Sequence, residues 1–326
     1  MKLKLWGTRG SLPRAITNEE IFSQLSKLFE EAIKGGISDI KQFRTFMHKK
    51  FATTPFLHGG NSICSQVIAE NQKFFIDMGS GIRQAGTEAI AQGITKHIVF
   101  QTHMHWDHVI GLPFFVPIYT PGHHLTIYHV HKNAPEYIKI LFNGVNFPVK
   151  WEEISSQIEF KQVKLYEKLT FDDLTVTPFA LDHPGGSFGY RFEKDNQSIV
   201  IGIDGEYKRV NSKDLGKDLP YYQNLDLILF DAQYEMEEYT SKFDYGHCTP
   251  TIGADLALRE GIKNIILAHH DPWSTDDKLN DMAEVTREYI KKHLPTHQSI
   301  WNKRGQPLGP NVITAYDGLE IDLDEI

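Results

Sequence analysis

Ile98-Val99-Phe100-Gln101-Thr102-His103-Met104-His105-Trp106-Asp107-His108 is an apolar run that ends in three histidines and an aspartate within six residues. Alternate side chains of a strand share a face. A strand end opening into a loop therefore brings His103 and His105 to one cation, while Asp107 and His108 project toward a neighbouring position and serve a second. Imidazole and carboxylate suit zinc, manganese or iron. A single such histidine reads as a satisfied core group; this density at a strand terminus does not.

Four ligands do not complete two sites, so further donors are expected at other strand ends. Leu181-Asp182-His183-Pro184-Gly185-Gly186 ends one apolar run with a histidine, and Ile199-Val200-Ile201-Gly202-Ile203-Asp204 ends another with an acid. A buried acid is costly unless paired or coordinated. Asn264-Ile265-Ile266-Leu267-Ala268-His269-His270 ends a third run with two histidines, of which His269 directly follows the strand and His270 is its rival.

Outward from these points the chain alternates strands and helices. Strands are expected at 2–6, 63–69, 74–77, 97–101, 125–130, 171–179, 188–192, 199–203, 227–230 and 264–268. Helices are expected near 83–92, at 251–260 and at 276–292. Strand-dominated halves with intervening helices fit two sheets flanked by helices. Residues 18–50 differ. Ile21, Phe22, Leu25, Leu28, Phe29, Ala32 and Ile33 recur at helical spacing after Thr17 or Asn18 as N-cap, Gly35-Gly36 provides a stop, and a second helix covers about 38–50. The expectation is one domain over 1–326 with a helical insertion at about 14–57, which either caps a pocket or serves packing or dimerisation, so a homodimer is left open.

Composition narrows the partners. The chain has 326 residues, 42 acidic against 34 basic, and a net charge of −8. A protein that grips long nucleic acid usually carries a basic stripe, and none is visible, so long nucleic acid is disfavoured. Sixteen histidines, several clustered, are a compositional sign of metal binding. No stretch approaches the roughly 18 apolar residues of a membrane span, Cys64 and Cys248 suggest no disulfide framework, and a cytoplasmic location is the expectation.

The ordered set Gly7-Thr8-Arg9-Gly10-Ser11, Asp77-Met78-Gly79-Ser80-Gly81, Thr102–His108, His183, Asp204 and His269 resembles the metallo-β-lactamase superfamily. It is most similar to the branch containing tRNase Z and phosphoribosyl cyclic phosphodiesterases. The resemblance spans nearly the whole chain outside about 14–57. It implies an α/β fold, the αββα sandwich, and two divalent ions: zinc or manganese, with iron also suitable. By this resemblance His103, His105 and His183 bind the first, Asp107, His108 and His269 the second, and Asp204 bridges. Phe230-Asp231-Ala232-Gln233-Tyr234 and Gly246-His247-Cys248-Thr249-Pro250 resemble segments of the phosphodiesterase branch, with Cys248 where serine is common. His247 would then protonate a leaving alkoxide or hold a phosphoryl oxygen, and Asp231 would position His247. The glycine-rich pieces Gly59-Gly60-Asn61-Ser62 and Gly79-Ser80-Gly81 match no nucleotide-binding fingerprint. Arg9 reads equally as a phosphate contact or as half of an internal ion pair.

The function expected is hydrolysis of a small phosphodiester, cyclic ones included, by a metal-bridging hydroxide, with Asp107 also orienting the attacking water. Three alternatives share the ligand set: a hydrolase of carboxylic esters, lactones or β-lactams, a tRNA 3′-processing nuclease, and a metal-binding regulatory protein without turnover.

Overall fold

The computed structural model describes residues 1–51, 55–209 and 211–326. The first sheet is built from β1 (Lys2–Gly7), β2 (Cys64–Ala69), β3 (Gln72–Ile76), β4 (Lys96–Gln101), β5 (His124–His129) and β6 (Gln157–Gln162). The second comprises β7 (Leu169–Phe171), β8 (Leu174–Leu181), β9 (Ser187–Lys194), β10 (Gln197–Gly202), β11 (Leu227–Asp231), β12 (Asn264–Ala268) and β13 (Asn311–Thr314). The chain then returns to pair β14 (Glu320–Asp322) beside β1, so each sheet has seven strands.

The inner faces of the two sheets share one core that includes Leu3, Leu5, Phe74, Phe100, Ile201, Leu229 and Ile266. Phe100 of β4 meets Tyr190 of β9 at 5.1 Å between ring centroids, and the Tyr190 hydroxyl donates to the Gln101 carbonyl at 2.8 Å. Each side chain of this size contributes about 1.5–3 kcal/mol by leaving water. The outer faces are covered by helices. Ile82–Ala91 packs on the first sheet, and Pro250–Glu260 with Asp276–Lys303 packs on the second. Helix, sheet, sheet and helix therefore stack in that order.

β3 through β6 run parallel, as do β10 through β13. Open parallel sheets bind ligands beyond the carboxyl ends of their strands. Here those ends carry Asp77, His103, Asp204, Asp231 and His269.

Some elements differ from the sequence reading. The run at 171–179 is a hairpin: Asp172, at φ +53°, turns the chain between β7 and β8. The final helix continues past 292 and past Pro295 to Lys303, where fully buried Trp301 donates its indole N–H to the Leu258 carbonyl. Burial of that indole holds the helical turns after the proline. Strands β6, β13 and β14 were not expected: β13 and β14 are only four and three residues long, and the Ile158/Phe160 alternation of β6 was not read as a strand.

Within the insertion, Thr17 caps the helix Asn18–Lys34 and pairs reciprocally with Glu20. Ile40–Lys50 is the second helix, capped by Asp39. Residues 52–54 of the expected insertion lie outside the described residues. Only Leu28 and Ala32 of the first helix are buried, and Lys27 and Gln24 reach Asp277 at the start of the final helix. The segment thus sits against the entry to that helix.

Candidate metal centre

Three of the strand-end residues are held in the left-handed backbone region: Asp77 at φ +64°, Asp204 at +57° and His269 at +59°. Non-glycine residues rarely adopt it, and where they do the strain clusters at functional sites. The bend at each strand end turns the side chain back over the sheet edge, toward one point.

That point holds three groups of donors, one of which, Asp204, Asp231, His247 and His269, overlaps both of the others. One ligand atom each from His103, His105, His183 and Asp204 lie within 4.8 Å of one another, and so do those of Asp107, His108 and His269. Asp204 stands between the groups. Its Oδ1 is 3.8 Å from His103 Nε2 and 3.7 Å from His183 Nε2, and its Oδ2 is 2.9 Å from His108 Nε2 and 3.0 Å from His269 Nε2. His270 is turned away, with Nε2 against the Ala315 carbonyl at 3.1 Å.

The outer nitrogens are fixed by partners. His183 Nδ1 donates to the Gly246 carbonyl at 2.8 Å, and His108 Nδ1 donates to Asp77 Oδ2 at 2.8 Å. Such partners set the tautomer and aim the other nitrogen at a cation. Asp77 is itself locked by the Thr102 N–H and hydroxyl and by the Gln101 amide. Asp107 Oδ2 accepts the Ser11 N–H at 2.7 Å. Close approach of backbone completes the cradle. A Cβ on Gly10 would stand 2.3 Å from the His269 ring, and one on Gly246, at φ +90°, would stand 2.2 Å from the His183 ring.

The donor set fits divalent cations. His103 Nε2, His108 Nε2 and Asp204 Oδ2 are buried without a hydrogen-bond partner of acceptable geometry among the described residues. Burial, reinforced by its histidine neighbours, keeps His103 well below the usual imidazole range. Burial also lowers His183 and His105, against the pull of Asp204. Neutral imidazole is the form that ligates. For His108, burial is outweighed by Asp204, Asp107 and Asp77, which hold it well above its ordinary value. His269, likewise buried, is pushed up to about 10, chiefly by Asp204 and then Asp107. Despite burial, Asp204 and Asp107 stay well below the carboxylate range beside these rings. Ligation would need both rings in their neutral form, so a bound cation would supply the positive charge these carboxylates draw from the rings.

His247 lies at the margin. Its Nδ1 donates to Asp231 Oδ2 at 2.9 Å, and its ring stacks at 4.9 Å on His269 and stands 5.4 Å from His183. Asp231 is fully buried and also accepts the N–H groups of Asp204, Gln233 and Cys248. Arg9 is fully buried and reaches Asp276, with the carbonyls of Gly59, Asp271 and Ser274. It is the internal ion pair and touches no substrate space. Cys64 and Cys248 are buried free thiols. Asp77 was quoted in the sequence as part of a motif without a role; its signal was the acid closing the apolar run Phe74–Ile76.

A double sheet with histidines and aspartates gathered at the parallel strand ends defines a metallo-β-lactamase fold. The chain belongs to that superfamily: residues 73–270, more than half its length, match the beta-lactamase superfamily domain. It is a metal-dependent hydrolase of the metallo-β-lactamase superfamily, and its similar proteins include ribonucleases Z. A ribonuclease Z of Archaeoglobus fulgidus is 21% identical over 241 residues, covering 61% of this chain and 78% of that protein. The metallo-β-lactamase fold protein YhfI from Bacillus subtilis superposes with a TM-score of 0.63 at 14% identity, covering 98% of both chains. A diphosphatase of the PhnP family superposes with a TM-score of 0.57 at 16% identity, covering 98% of this chain and 97% of that one. Among the described residues no helix is long and apolar enough to cross a membrane.

Proposed function

We propose that the protein is a phosphodiesterase that hydrolyses a small phosphodiester at two divalent cations. His103, His105 and His183 would hold one cation and Asp107, His108 and His269 the other, with Asp204 standing between the two groups. The observation that carries the reading is His247, set on Asp231 at 2.9 Å and 3.8 Å from Asp204. The His247 nitrogen that faces Asp204 is Nδ1, and Asp231 occupies it, so Nε2 is left to serve a leaving oxygen.

Two bound cations supply Lewis acidity toward a phosphoryl oxygen and lower the pKa of water from about 15.7 toward 7. The protein's own residues do the rest. Asp107, oriented by the Ser11 N–H, accepts a hydrogen bond from the attacking water and aims it. The water oxygen forms the new bond to phosphorus and the bond to the leaving oxygen breaks. His247 gives that oxygen its proton from Nε2 while Asp231 keeps Nδ1 protonated. Such transfer contributes about 10²–10⁴-fold.

Nuclease activity on tRNA 3′ ends is a second reading, favoured by the ribonuclease Z relatives. The net charge of −8 favours the small diester. The test is turnover of bis-p-nitrophenyl phosphate, p-nitrophenyl acetate, nitrocefin and a precursor tRNA with Zn²⁺ or Mn²⁺ supplied. Diester turnover abolished by chelator is expected, and Asp204→Ala should lose both metal and turnover. Ester or β-lactam turnover alone, or an Asp204→Ala protein that keeps both, would overturn the reading.

A further inference from the structure

On the side of His103 and His105 lies a cavity of about 400 Å³. Its walls are Trp106, Val109, Tyr137, Ile140, Leu141 and Pro184. Gly185, Gly186 and His131 also line it, and His131 Nε2 is fixed on the Gly186 carbonyl at 3.0 Å. Among the described residues no lysine, arginine, aspartate or glutamate lines it. Among the described residues none of its lining comes from 14–57, so the two inserted helices do not form its wall.

Three of the wall residues, Trp106, Tyr137 and Ile140, spend apolar surface in water. Trp106 is 77% exposed and Tyr137 53% exposed. Single exposed apolar residues are ordinary, but a grouped patch marks a binding site. Trp106 is also fixed: its carbonyl accepts the N–H groups of Val109 and Ile110, in the short turn between His105 and Asp107. The indole is therefore carried on the same few residues as the metal-facing side chains.

We propose that this cavity receives a flat, uncharged aromatic group on the phosphodiester, stacked on Trp106 and Tyr137. The proposal rests on the phosphodiesterase reading. A wall without formal charge offers nothing to a second phosphate or an amine, whereas aromatic faces stack on any flat ring. His247, which protonates the leaving oxygen, does not line the cavity. The aromatic group is thus the ester that stays on phosphorus. A nucleobase and a simple aryl ring share this chemistry.

The test uses the Zn²⁺-loaded enzyme and diesters that all release p-nitrophenolate but retain a methyl, phenyl or thymidine-5′ group. Expected is a kcat/KM for the phenyl or thymidine ester roughly five- to a hundredfold above the methyl ester, the span of one stacked ring. The gain should lie mainly in KM. Trp106→Ala and Tyr137→Ala should bring the ratio toward one, and Trp106→Phe should keep it. Both side chains are exposed, so these variants retain the fold. Thymidine ahead of phenyl supports the cavity as a nucleoside site; phenyl equal or ahead supports it as an aryl site. A wild-type ratio near one, or a preference that survives both alanine variants, overturns the proposal. Failure of every diester overturns the underlying phosphodiesterase reading instead.

Discussion

His247 Nδ1 stands 2.9 Å from Asp231 Oδ2, the same oxygen that accepts the main-chain N–H of Asp204 at 3.0 Å. One buried carboxylate thus fixes both the proposed acid and the strand end that carries the central aspartate. The two roles separate by leaving group. His247→Ala should lower kcat by about 10²–10⁴-fold for an alkyl leaving group, and far less for p-nitrophenolate, which departs without a proton. Metal content, measured by elemental analysis, should be unchanged. An equal loss for both leaving groups would remove His247 from the acid's role. Asp231→Asn should show the same leaving-group dependence, with added loss of metal because Asp204 shifts.

Asp77 touches no substrate space, yet it fixes the His108 ring. Asp77→Asn should weaken metal binding by about 10–100-fold, the usual cost of losing an orienting partner. Competition with a chromogenic chelator measures this directly. Wild-type affinity in the variant would show that the ring is aimed by packing alone.

Arg9→Ala should strip Asp276 of its cationic partner, leaving it only His58, and leave the Gly59 and Ser274 carbonyls without their guanidinium donor. Breaking a buried pair from one side costs about 3–5 kcal/mol. Denaturant unfolding should show a loss of that size, with the midpoint falling and the slope unchanged. A loss under about 1 kcal/mol, as for an exposed pair, would contradict the buried geometry.

His97 lies buried far from the cluster, with Nε2 3.1 Å from His123 Nδ1. Burial, then His123, lowers it to about 4. The unfolded chain binds this proton near 6.5 and the folded chain only near 4, so its contribution is intact above 6.5. It falls away as pH drops from 6.5 to 4, by up to about 3 kcal/mol. His97→Gln should flatten the fall in stability between pH 7 and 4.5, read by urea unfolding. An unchanged slope would count against a neutral buried His97.

The αββα architecture was legible because apolar runs of strand length alternate with capped, amphipathic helices, and periodicity is a local property. The hairpin at Asp172 and the final helix past Pro295 were not. A turn inside an apolar run and a proline tolerated by one buried indole depend on partners distant in sequence.

The sequence by itself determined which residue types stand at the strand ends, and in His103–His108 it placed donors close enough to share cations. Those are facts of spacing. Tertiary structure alone decided which donors meet: it turned His269 inward and His270 onto Ala315, put Arg9 against Asp276, and set His247 on Asp231. It also placed Trp106 and Tyr137 on one cavity beside the cluster. The reason is physical. Left-handed strand ends and the packing of two sheets bring together side chains more than a hundred residues apart, a juxtaposition that no local pattern in the chain encodes.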